Sequence, residues 1–155
     1  MRFPIVTLFA LVASSTAQAD SELPDTYAVH RSALSKAVEI LAGDECVKNS
    51  AAGGVALPWH IYRIPLRPIG SVFFVQCVFP ASNDVHIVVL EDARGHASLP
   101  TFGHNVHAVY NARWDERNQI ITDISGSGVG CAHERRWKWD GRNFVLVGQR
   151  IFGCR

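Results

Sequence analysis

Four cysteines, Cys46, Cys77, Cys131 and Cys154, constrain this 155-residue chain more than any other feature, because its N-terminus addresses it to an oxidising compartment. Residues 1–19 read MRFPIVTLFALVASSTAQA. One charge, Arg2, precedes a short apolar run, and small residues lead to Ala17-Gln18-Ala19. That order is the signature of a signal peptide with an A-x-A cleavage site. The apolar run is shorter than the roughly 20 residues a spanning helix takes. The expected mature chain is one globular domain over 20–155, periplasmic or secreted, with no stable membrane insertion after cleavage. Outside the cytoplasm, an even cysteine count reads as a disulfide framework.

Four cysteines allow three pairings. Cys46–Cys77 with Cys131–Cys154 is favoured, because each bridge closes a local loop and neither crosses the other. Each is expected to add about 3–4 kcal/mol through the entropy of the unfolded chain. Metal binding is the rival reading, but the sequence has no C-x-x-C, and Cys131-x-His133 is a poor zinc signature.

Charge excludes some functions. The chain holds 15 basic and 14 acidic residues, and the leader removes only Arg2, so the mature chain balances at 14 of each. A neutral chain has no general attraction to nucleic acid or anionic membranes. The distribution is uneven, however: Asp20, Glu22 and Asp25 open the mature chain, while Arg135, Arg136, Lys138, Arg142, Arg150 and Arg155 crowd its end.

The patterning predicts an α+β, mainly β fold: one N-terminal helix packed on an antiparallel sheet or small sandwich, held by two disulfides. Leu34, Val38 and Leu41 recur at helical spacing behind Ser32 or Ser35, and Gly43 is placed to end the helix near Ala42. Beyond the small-residue loop NSAAGG the period becomes two. Strands are expected over residues 59–66, 72–79, 85–90, 106–114, 119–124, 134–139 and 144–151, separated by turn clusters such as PASND and DARG. VFFVQCVF is apolar on both faces, as a covered central strand is.

The stretch SGSGVGCAHERRWKWDGRNF, residues 125–144, carries the remaining signals. Its glycines imitate a phosphate loop, yet the residues that follow alternate as a strand, where such loops need a helix. Positive φ or close backbone approach is the expected use of these glycines. Asp140-Gly141 marks a hairpin. A four-residue loop, 140–143, sets Trp139 opposite Phe144 and is preferred for that aromatic pair.

These residues resemble a bacterial secreted family catalogued as domain of unknown function 1176. The resemblance runs through Gly126, Gly128, Gly130, Cys131, Trp137, Trp139, Asp140, Gly141, Phe144, Leu146 and Cys154, with a looser echo at Cys77, Ala81 and Asn83. The chain departs at Ser127, Pro80 and Ser82 and lacks the family's acid before the cysteine. The resemblance implies export, disulfides and the C-terminal hairpin. It implies no catalytic residue.

Arg135, Arg136, Trp137 and Lys138 form the candidate binding surface, suited to stacking on a sugar or gripping an anionic polymer. The competing reading makes the tryptophans core and the cations a solvated face. His96, His104 and His107 are the weak alternative, a metal cluster without any accompanying H-E-x-x-H motif. Ser125 and Ser127 are not in a nucleophile elbow. The expected function is a non-catalytic envelope binding or inhibitor module. It needs no cofactor, and its partner is an envelope protein or glycan rather than nucleic acid. A periplasmic hydrolase or metal-dependent enzyme is the alternative, and a purely structural envelope protein a third reading.

Overall fold

The computed structural model describes residues 23–49, 60–78, 84–103, 107–126 and 130–154. The expected leader, the NSAAGG loop beyond residue 49 and His104 lie outside them. The fold has three layers: one helix, a six-stranded antiparallel sheet and a four-stranded antiparallel sheet.

The helix α1 spans Lys36–Asn49. The Ser35 hydroxyl accepts the Val38 N–H at 3.3 Å, meeting one of the unpaired donors of the first turn. Gly43 does not end α1, contrary to expectation. The turn beyond it buries Glu45 and Cys46, and that anchorage outweighs the roughly 1 kcal/mol penalty of an internal glycine. Val38, Ala42 and Cys46 pack on Ile61, Phe73, Val75, Ile87 and Val89.

The larger sheet contains β1 (Ala28–Val29), β2 (His60–Leu66), β3 (Gly70–Val78), β4 (Val85–Asp92), β5 (Ala97–Ser98) and β6 (Ala108–Tyr110). Strand β4 is central: β3 pairs along one edge, while β5 and β6 share the other. Both faces of β4 are buried because α1 covers one and the second sheet covers the other. That is why VHIVVL shows no polar alternation.

The smaller sheet runs β10-β9-β8-β7, with β7 at Arg113–Asp115, β8 at Ile120–Ser125, β9 at Ala132–Trp139 and β10 at Phe144–Phe152. The single strand expected over 106–114 is two strands, in different sheets. The chain breaks at Asn111, whose φ is 44°. The buried Asn111 side chain accepts the Asp84 N–H at 2.9 Å and donates to the Ile124 carbonyl at 2.8 Å. It thereby ties the two sheets together where the chain passes between them.

Ile64, Leu66, Val72, Phe74, Val88 and Leu90 from the larger sheet meet Trp114, Ile121, Trp137, Trp139 and Phe144 from the smaller. The hairpin at the chain end has the preferred four-residue loop. Trp139 pairs with Phe144, their ring centroids 5.1 Å apart. The Asp140 carboxylate accepts the Arg142 and Asn143 N–H groups at 2.8 and 2.7 Å, which hold its carboxyl below the usual carboxylate range. The Cys131–Cys154 disulfide closes the open end, just past the last ladder pair, Phe152 with Ala132. Cys46 is also disulfide-bonded. The side chain of Cys77, its expected partner, lies outside the described residues.

Candidate functional site

Strand alternation divides the candidate binding surface. Arg135 and Trp137 point into the sandwich, and Arg136 and Lys138 point out. Trp137 is 5% exposed and lies edge-on to Phe102, centroids 5.5 Å apart. An exposed platform of Trp137 beside Arg135 is therefore not what the fold presents. Core packing takes the indole because burying such a ring outweighs any exposed stacking role. Phe102, which no sequence pattern singled out, meets Trp137 edge-on, stacks on Phe144 and caps this end of the core.

The inner face of the smaller sheet changes character along its strands. Trp139, Trp137 and Ile121 make one end apolar. Toward the other end the same face carries Asp123, Arg135, Ser125 and His133, with Asp123 opposite Arg135 and Ser125 opposite His133. The larger sheet follows the same gradient: His60, Gln76 and His86 form one cross-strand row at its matching end. His86 is fully buried against Tyr62 and Phe74. Burial, and then the nearby His60, push its pKa down to about 4. Asparagine 111 places these two polar ends together.

Here lies a cleft of about 570 Å³, lined by Ser125, His133, Arg135, Gln149, Arg150 and Ile151. One lining residue, Arg135, is ion-paired to the buried Asp123, Nη2 to Oδ2 at 2.6 Å. Asp123 Oδ1 also accepts the Tyr110 N–H at 2.9 Å. Burial raises the Asp123 carboxyl above its ordinary range, opposed by the Tyr110 N–H and by Arg135. Gly126 begins the glycine run with its expected close approach. A Cβ there would stand 2.9 Å from Ala132 Cα, so only glycine lets the chain pass beside β9.

Among the described residues this arrangement forms no nucleophile–base pair. A base needs a hydrogen bond to the attacking group and a third group to orient it. Among the described residues, Asp123 is committed to Arg135 and Tyr110, and no hydrogen bond links His133 to Ser125 or to a carboxylate. Of the alternative histidine cluster, His104 lies outside the described residues, and the other two histidines have local partners. His96 meets Asp92 at 3.1 Å, and His107 meets the Pro100 carbonyl at 2.7 Å. Among the described residues, no three His, Cys, Asp or Glu side chains gather to hold a metal ion.

Beside the cleft, β10 forms the edge of its sheet and pairs only with β9 among the described strands. Val145, Leu146, Val147, Ile151 and Phe152 are each 39–61% exposed along it. On the outer face Arg150 reaches Glu134 at 2.6 Å and lies over the Phe152 ring. None of these features has a motif, since edge position is a property of sheet order.

The class defined by fold and site is a mainly β, helix-backed sandwich with a disulfide-closed edge hairpin and a polar cleft. Comparison with protein-family models, curated proteins and solved structures found no match.

Proposed function

We propose that this chain is an exported, non-catalytic binding module that captures an extended segment of an envelope protein by adding it as a strand to β10. The family resemblance and the leader support the export reading, and the Cys131–Cys154 bridge is chemistry suited to an oxidising compartment. The observation that carries the recognition reading is β10 itself, a nine-residue edge strand with large apolar side chains exposed on both faces.

Long apolar edges invite pairing, and proteins normally shorten, charge or cover them. Here the edge is kept and made rigid. The disulfide holds its far end, and the ladder from Gly148 to Phe152 runs without interruption. A bulge between Leu146 and Gly148 twists the near end, which limits indiscriminate stacking of copies. The neighbouring outer cations Arg136 and Lys138 disfavour pairing with the same edge of a second copy and suit a partner strand that carries acidic residues. Strand addition draws affinity from main-chain hydrogen bonds and specificity from alternate side chains.

The test is a pulldown from envelope extract with the mature protein, compared with the Val145→Lys/Val147→Lys variant. Edge lysines block strand pairing without touching the core. Loss of the captured protein with unchanged circular dichroism and Tm supports the reading. Equal capture by the variant, or recovery of glycan alone, overturns it.

A further inference from the structure

We infer that the cleft between Ser125, His133, Arg135 and Gln149 is a carboxylate receptor, which seats an Asp or Glu side chain of the segment paired with β10. The inference rests on the strand-addition reading for the source of the carboxylate, but its chemistry belongs to the cleft alone.

The lining is rich in donors. Ser125 offers a hydroxyl, His133 an imidazole, Gln149 an amide and Arg135 a guanidinium, and among the described residues no acidic side chain lines the space. Asp123, which pairs with the lining residue Arg135, is 1% exposed and also accepts the Tyr110 N–H. The pairing with Arg135 orients the guanidinium before any ligand arrives. The 35% of the Arg135 side chain left exposed therefore presents a fixed rather than a wandering donor. Preorganisation of this kind removes part of the entropic cost of binding.

Charge balance selects the class of anion. Asp123 offsets Arg135, and Glu134 offsets Arg150. A polyanion needs uncompensated positive charge, which this cleft lacks. A single carboxylate instead gains from aligned donors, and charge-assisted hydrogen bonds are about twice as strong as neutral ones. Gln149 and Ile151 lie on β10 itself, and Arg135 and His133 are their ladder partners on β9. A strand added beyond β10 would send every second side chain toward this cleft.

Sodium acetate is the probe, as the shortest analogue of an acidic side chain, with acetamide as its neutral isostere. The full mature chain is titrated by NMR at constant ionic strength, following the His133 ring and the Arg135 guanidinium. Saturable shifts with acetate, and binding of acetamide at least tenfold weaker, support the inference. Gln149→Glu puts a carboxylate into the cleft while leaving the Asp123–Arg135 pair intact, and is expected to weaken acetate at least tenfold. Shifts linear in concentration, equal response to acetamide, or no effect of Gln149→Glu overturn it. The Val145→Lys/Val147→Lys variant separates the two claims: it should lose the protein partner yet keep acetate binding. Failure of strand addition with retained acetate binding strikes only the function proposed above, and the reverse strikes only the receptor.

Discussion

Asp123 and Arg135 face each other across the β8–β9 ladder at 2.6 Å, the carboxylate almost wholly buried and the arginine partly exposed. Removing one member of a buried pair strands the other's charge, which costs about 3–5 kcal/mol when both are fully buried. Because Arg135 is partly solvated, Arg135→Met is expected to cost about 2–3 kcal/mol in urea denaturation. Adding Asp123→Asn should recover part of that loss. A single-variant loss below about 0.5 kcal/mol would mean that water already reaches the carboxylate.

Trp137 and Arg136 are sequence neighbours with opposite fates. Trp137→Ala leaves a large void against Phe102 and is expected to cost about 3–5 kcal/mol. Arg136→Ala, on the exposed face, should stay within about 0.5 kcal/mol. Thermal melts of the two variants decide between a core and a surface role for the indole; similar Tm values would refute the core placement.

His86 makes stability depend on pH. An unfolded histidine has its ordinary value of 6.5, whereas the folded one titrates near 4. The unfolded chain therefore takes up the proton first as pH falls. The contribution is complete above pH 6.5 and declines as pH drops from 6.5 toward 4, by about 3 kcal/mol in all. The groups facing it are His60, Gln76, Tyr62, Phe74 and Val109. His86→Leu should flatten this part of the stability profile. An unchanged slope between pH 6.5 and 4 would assign the effect to other groups.

The Cys131–Cys154 bridge spans 23 residues. Its removal as Cys131→Ser/Cys154→Ser is expected to cost about 3 kcal/mol through the unfolded chain. The loss should show first as faster amide exchange along β9 and β10, because the bridge closes the open end of that hairpin. Uniform acceleration across both sheets would mean that the hairpin does not open separately.

Some of this was legible in the residues. Asp140-Gly141 with aromatics on either side signalled the turn, because an aspartate that accepts the N–H groups two and three residues on is local chemistry. The parity of Arg135, Trp137 and Trp139 against Arg136 and Lys138 was visible too. Two indoles in one set favoured that side as the buried one, but that Arg135 turns inward with them was not legible, since its partner Asp123 lies on another strand. Residues 106–114 look like one strand because nothing in a hydrophobic period reports a change of sheet. Asn111 makes that change by bonding Asp84 and Ile124, both distant in sequence.

The sequence by itself determined the local periods, the hairpin turn, the close-approach glycine at 126 and the mainly β class, all of which depend on neighbours within a few residues. Tertiary structure alone decided that Gly43 lies inside a helix, that β10 is an edge and that Asp123 pairs with Arg135. Each of these is settled by which distant surfaces exclude water together, and burial across sheets leaves no trace in the order of adjacent side chains.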